Sequence, residues 1–223
     1  MQAYDNDDDQ VTGGKLIPGL SSRKKGWMNA DNILQVSDMR KIIAQEMVTV
    51  DGYFAGPNGE LDWFVWDDVL KNLSRDMLKS VDTLLFGRVT YDMMAAYWPT
   101  VSDEDPVIQK AMNGLPKIVF SRSLEKAEWN NTRLVREVIP EEILKMKEQR
   151  GKDMVIYGSG SLVSEFARHG LIDEYRLIVN PVVLGSGKPL FRGFKDHLKL
   201  NLLNAKTLGS GNVLLSYRPD EVR

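Results

Sequence analysis

The chain has 223 residues, 29 basic and 31 acidic side chains, a formal net charge of −2, no cysteine and two histidines. Without cysteine there is no disulfide, thiolate zinc site, iron–sulfur cluster or cysteine nucleophile. His169 and His197 cannot build a three-histidine metal site, so no metal is expected.

Six Asp against four basic residues in 1–38 carry the net charge and leave 39–223 balanced, with 25 of each sign. A neutral body lacks the basic face that a nucleic-acid surface needs. No stretch approaches the roughly 18 apolar residues of a membrane span. The N-terminus opens on Asp5, Asp7, Asp8 and Asp9 instead of a basic-then-apolar signal, so a cytoplasmic protein is expected. Residues 1–38, with that Asp cluster, Gly13-Gly14 and Pro18-Gly19, show no sustained period. They read as a mostly disordered extension before a patterned domain at 39–223.

From Met39 the elements alternate. Residues 41–50 (KIIAQEMVTV) are apolar and β-branched, a strand ended by Asp51-Gly52. Gly56-Pro57-Asn58-Gly59 marks a loop. Asp67 can cap a helix with apolar Val69, Leu70, Leu73, Met77, Leu78 and Val81 at 3.6-residue spacing. A short buried strand at 83–86 follows, and Gly87-Arg88 opens a helix through Tyr97. Residues 117–121 (KIVFS) form another strand. Pro140 starts a helix over 141–150 that Gly151 stops. A strand at 154–157 runs into Gly158-Ser159-Gly160-Ser161 and a helix ended by Gly170. Then come a long strand at 175–184 and a hairpin of 198–208 with 213–217. Strands separated by helices and closed by a hairpin predict one α/β domain with a mixed, mostly parallel sheet and an antiparallel edge.

Chemistry gathers at the strand ends. Gly158-Ser159-Gly160-Ser161 places small residues and free amides at a helix N-terminus, which suits an anion. It is not a standard dinucleotide fingerprint, because the third glycine would fall on Val163. Gly185-Ser186-Gly187-Lys188 imitates a phosphate loop, but Val182 and Pro189 stand where a glycine and a hydroxyl residue are required. Gly87, Arg88 and Thr90 follow one strand, and Ser121 and Arg122 another. In open α/β sheets the ligand crevice lies at the strands' carboxyl ends, so these residues together suit a phosphorylated dinucleotide with Arg facing a 2′-phosphate. Asp51, Glu60, Asp62, Asp67 and Asp68 are the acid/base candidates. Trp63 among them offers a stacking surface for a flat substrate.

The segments VTVDGYFAG, LLFGRVTYDMM, KIVFSRSL, MVIYGSGSLVSEF and DEYRLIVNPVVLGSGKPLF, in this order, resemble the dihydrofolate reductase superfamily. Within it the chain is most like the reductase domain of bacterial riboflavin biosynthesis, the pyrimidine reductase, over about residues 39–219. The zinc motif of that enzyme's deaminase half needs cysteines that this chain lacks. The resemblance implies a single α/β domain, a central sheet of about eight strands, and NADPH bound at its carboxyl edge. It implies that Gly87, Arg88, Thr90, Ser121 and Arg122 contact the cofactor's phosphates. Gly158, Ser159, Gly160, Ser161 and Leu162 would meet the pyrophosphate, and Asp51-Gly52 would lie near the nicotinamide and substrate.

The expected function is transfer of hydride from NADPH to a C=N or C=O bond of a small pterin- or pyrimidine-like heterocycle. Asp51, or else Asp67 or Asp68, would organise a proton donor. The competing expectation is a nucleotide- or metabolite-binding protein without turnover. Relatives in this group pair through their sheets, so a homodimer is expected.

Overall fold

The computed structural model describes residues 39–220; the expectation of a disordered extension at 1–38 lies outside them. Strand β1 (Ile42–Thr49) is buried along nearly its whole length. A turn leads to β2 (Tyr53–Ala55), which pairs antiparallel with β8 (Lys188–Pro189) in a separate two-stranded sheet. Helix α1 (Asp68–Ser80) starts where expected: Asp67 is its N-cap and accepts from the Leu70 amide at 2.9 Å. Val81, expected at the end of that helix, instead begins β3 (Val81–Gly87), from which α2 (Arg88–Tyr97) departs directly.

Helix α3 (Pro106–Gly114) is absent from the sequence-level reading, although its start carries both signals of a helix N-terminus. Asp105 accepts from the amides of Val107 (2.9 Å) and Ile108 (3.1 Å), and Pro106 opens the first turn. Strand β4 (Lys117–Phe120) is followed by β5 (Thr132–Val135), a four-residue, half-exposed edge strand too short to show a period. Helix α4 (Pro140–Glu148) ends two residues before the expected 150, where Gln149 turns extended.

Strand β6 (Asp153–Ile156) leads into α5 (Gly160–Arg168). At its end Gly170 (φ +64°) lets the Leu171 amide return to the Phe166 carbonyl at 3.0 Å. Strand β7 (Glu174–Asn180) stops four residues short of the expected 184. Pro181 has no amide for the ladder, and the Asn180 side chain instead donates to the carbonyls of Ile178 (3.0 Å) and Val48 (3.3 Å). Strands β9 (Leu200–Thr207) and β10 (Val213–Pro219) form the expected antiparallel hairpin.

The eight-stranded sheet runs β5-β4-β3-β6-β1-β7-β10-β9. Every pairing from β5 to β7 is parallel, and β10 alone runs against its two neighbours. The single α/β domain with a mostly parallel sheet and a C-terminal antiparallel hairpin is therefore the observed architecture. One face packs Ile42, Ala44, Ile156 and Phe166 with α4 and α5. The other packs Ile43, Leu84, Phe86 and Val155 with α1, α2 and α3. The chain leaves β1 toward α1 on one face and leaves β6 toward α5 on the other. Between these neighbouring strands the connections diverge, which opens a crevice at their carboxyl ends. Among the described residues no helix is long and apolar enough to cross a membrane.

Candidate active site

The crevice is lined first by backbone. The Gly87 amide donates to the Gly158 carbonyl at 2.8 Å, joining the ends of β3 and β6. A Cβ on Gly87 would overlap Ser159 Oγ. At Gly158 (φ +98°) a Cβ would stand 2.9 Å from Thr90 Oγ1 and 3.6 Å from Glu46 Oε2, and at Gly160 it would reach the Phe54 ring at 2.5 Å. Glycine is needed here because four chain segments converge without room for a side chain. The Gly158–Ser159 peptide is cis. The fold thus brings Gly87, Thr90, Gly158, Ser159 and Gly160 together, with Ser161 attached through a 2.8 Å hydroxyl contact to Ser159. Leu162 begins the buried face of α5 behind them.

Helices α2 and α5 begin beside each other, because each follows directly on one of the paired strands β3 and β6. Neither N-cap, Gly87 or Ser159, makes a side-chain capping bond. The Leu162 amide turns back to the Ser159 carbonyl at 2.8 Å, while the amides at the very start of both helices, with the positive ends of their dipoles, are left for an anion.

Arg88 is the first residue of α2, half-exposed, and 2.9 Å from Asp92. Register pairs Gly87 with Phe120, so Arg88 and Ser121 leave neighbouring strands at the same level. Ser121 Oγ accepts from the amides of Leu124 (2.9 Å) and Ser123 (3.3 Å) and closes the turn after β4. Arg122 on that turn is exposed, 3.8 Å from Glu137. Sequence reasoning missed Arg136, whose guanidinium donates to the carbonyls of Ser121, Arg122 and Leu124 and holds the turn in shape.

Of the three carboxylates singled out from sequence, Asp51 and Asp67 make bonds that hold the fold. Asp51 is exposed. Its Oδ1 accepts from Thr49 Oγ1 at 2.6 Å and from the Leu184 amide at 3.3 Å, and its Oδ2 from the Gly185 amide at 2.8 Å. The Thr49 hydroxyl and these amides hold its carboxyl below the usual carboxylate range. It clasps the 184–185 loop against the end of β1. Gly52 (φ +82°) makes the adjoining turn, its carbonyl accepting from the Leu190 amide at 3.2 Å. Asp67 caps α1, and the Leu70 amide and the Ser210 hydroxyl keep its carboxyl low. Asp68 is exposed in the first turn. Trp63 is half-buried, its indole donating to the Glu60 carbonyl at 3.2 Å and its ring edge-on to Phe64. None of the three carboxylates is buried, as a poised proton carrier commonly is.

A different acid is. Glu46, in the middle of β1, is 7% exposed, and its Oε1 has no hydrogen-bond partner. Burial pushes its carboxyl well above the usual range, opposed only by the Gly158 amide. Its neighbour Gln45 also has a buried, unpartnered Oε1. Among the described residues these two are the only buried side-chain oxygens or nitrogens left unpaired, and they are adjacent in sequence. The signal was present: Gln-Glu interrupts a strand that is otherwise apolar, and a buried strand has no reason to carry two polar side chains unless something meets them. Tyr157, after β6, is half-buried, and burial raises its hydroxyl well above the ordinary tyrosine value.

The glycine cradle, the paired helix starts and the orphaned acid fit a dinucleotide with an uncharged aromatic end. The amides and arginines would take its phosphates, and the buried polar atoms its heterocycle. The family described as RibD C-terminal domain matches residues 40–214. The uncharacterized Bacillus subtilis protein YyaP is 39% identical over 180 residues, covering 80% of this chain and 94% of that protein. The Thermotoga maritima diaminohydroxyphosphoribosylaminopyrimidine deaminase/5-amino-6-(5-phosphoribosylamino)uracil reductase superposes with a TM-score of 0.62 at 17% identity, over 85% of this chain and 59% of its own. Enterococcus faecalis dihydrofolate reductase, complexed with NADP(H), gives 0.55 at 16% identity, over 81% and 97%.

Proposed function

This chain belongs to the RibD C-terminal domain family, and from that membership we propose that it is an NADPH-dependent reductase acting on a C=N or C=O bond of a small pterin- or pyrimidine-like heterocycle. The observation that carries the reading is the junction of β3 and β6. There two uncapped helix N-termini start side by side across a glycine contact, with Arg88 and Arg122 at the rim. NADPH, when bound, would supply the hydride.

The protein's own residues do the rest. The first-turn amides of α2 and α5 take the pyrophosphate, and Arg88 and Arg122 the 2′-phosphate. Gly87, Gly158 and Gly160 let the backbone approach closely. Fully buried Ile156 on one face of the sheet and Phe86 on the other keep water from beneath the crevice. Burial favours the protonated form of the Glu46 carboxyl.

The test is titration of NADPH fluorescence, followed by NADPH oxidation across pterin, pyrimidine and carbonyl substrates. Saturable binding with turnover of one class supports the reading. Binding without oxidation of any would favour a metabolite-binding protein, a reading that the structural employment of Asp51 and Asp67 keeps open.

A further inference from the structure

A carboxyl group buried on a central strand is normally paired, because desolvation without a partner costs several kcal/mol. Glu46 pairs at the register of Leu177 on β7; on its other side the pairing with β6 ends at Ala44–Ile156, so Glu46 stands level with the Gly158 turn that follows β6. Alternation along β1 puts it on the face of Ile42, Ala44 and Val48, under α5. Its Oε2 lies by the Gly158 backbone, and Oε1 meets nothing.

The titratable groups nearest it are few. After β6 comes Tyr157, itself kept neutral by burial. On β7, Arg176 stands at the register of Gln45, on the opposite face, bonded to Glu174 at 2.6 Å. From α2 comes uncharged Thr90, and before and within α5 come Ser159 and Ser161. Arg88, also on α2, is turned to Asp92. Among the described residues no cation pairs with Glu46.

We propose that Glu46 is a ligand contact: as a neutral carboxylic acid it donates a hydrogen bond to the carboxamide oxygen of the nicotinamide. This rests on the cofactor reading given above. A protonated carboxyl is a donor that lacks only an acceptor. The acceptor has to be uncharged, because Glu46 is buried beside Gly158 and no cation among the described residues pairs with it, while the helix N-termini and arginines offer a phosphate better sites. A phosphate is drawn to the rim, and the planar amide end of the dinucleotide is what remains to enter. Ionising Glu46 turns the donor into a second buried acceptor facing a carbonyl, so deprotonation and binding oppose each other.

The experiment compares wild type with Glu46→Gln, which keeps a donor of the same shape but does not titrate. Dissociation constants for NADPH and for 2′-phospho-ADP-ribose, which has the phosphates without the nicotinamide, are measured from about pH 6 to about pH 10. Difference infrared spectroscopy of the free proteins reads the carboxylic-acid band of Glu46 directly. The expected result is an acid band at neutral pH that is missing in the variant. Above its titration midpoint, NADPH affinity should fall by about tenfold per pH unit in wild type only, and 2′-phospho-ADP-ribose should show no such fall. An ionised Glu46 at neutral pH, equal pH slopes for the two ligands, or a slope that survives in Glu46→Gln would each overturn the proposal. Failure of NADPH to bind wild type at any pH would instead sink the cofactor assignment, and the infrared band would still decide the protonation state of Glu46.

Discussion

Replacing Arg88 and Arg122 together with alanine tests the cofactor reading where it discriminates between two ligands. The arginines leave β3 and β4, adjacent parallel strands about 4.8 Å apart, and the Gly87–Phe120 register sets Arg88 level with Ser121 and one residue behind Arg122. Both can therefore serve one phosphate. A hydrogen bond to a charged group contributes about 1.5–3 kcal/mol when shielded. These side chains are 47% and 83% exposed, and exposed ion pairs fall to about 1 kcal/mol or less. Arg88 must also release Asp92 at 2.9 Å, a cost of a few tenths of a kcal/mol for a helix pair of this spacing. The sum is about 1.5–2 kcal/mol. At about 1.4 kcal/mol per decade this is roughly a 10- to 30-fold loss of preference for NADPH over NADH. Fluorescence titration of both cofactors at one fixed ionic strength measures it, since salt screens the contact. NADH affinity should barely change. The single variants should not sum to the double if both arginines grip the same phosphate. A selectivity ratio unchanged within about twofold in the double variant would falsify the role of this pair.

Three further outcomes are expected. Lys117 is 1% exposed, lies 4.4 Å from the centre of the Trp129 ring, and donates to the carbonyls of Leu115 (2.9 Å), Asn130 (3.1 Å) and Asn113 (3.2 Å). Lys117→Met should cost about 2–4 kcal/mol in urea unfolding at neutral pH, by orphaning those acceptors; a variant as stable as wild type would refute the role. Burial pushes the Lys117 ammonium down to about 8 from 10.5. Between those values the unfolded chain holds a proton that the folded chain has lost, so wild-type stability should rise with pH there, by at most about 3 kcal/mol, and the Met variant should lack the rise. Gly158→Ala, strained at φ +98° and crowded by Thr90, should lower both the melting temperature and NADPH affinity. Gly114→Ala, in open space at the end of α3, should lower neither. The homodimer expected from the sequence would pair through residues 175–183 and the C-terminal hairpin, where Val183 and, on edge strand β9, Leu202 and Leu203 are exposed. Leu202→Asp with Leu203→Asp should convert a dimer to a monomer by sedimentation, and a wild-type monomer at micromolar concentration would dismiss the pairing.

Much of the fold was legible in the residues because its signals are local. Asp67 before a 3.6-residue apolar stripe, Gly170 after another, and the Gly209–Asn212 turn each act within a few positions, and the helices and hairpin stand where those signals put them. Element ends were less legible wherever a tertiary partner decides them. Strand β7 stops at Asn180 because that side chain finds Val48, and β5 exists only because β4 offers it an edge.

The candidate site divides in the same way. Sequence alone pointed to the glycines, hydroxyls and arginines at the strand ends, because close backbone approach and an anion site favour those residue types whatever surrounds them. It could not tell which acid is buried. Asp51 and Asp67 look as reactive on paper as Glu46. The fold ties the first to the 184–185 amides and the second to the start of α1, and leaves Glu46 dry and unpaired beside Gly158. Whether a carboxyl group holds its proton depends on desolvation and partners, and both come from segments far apart in the chain, which only the tertiary structure brings together.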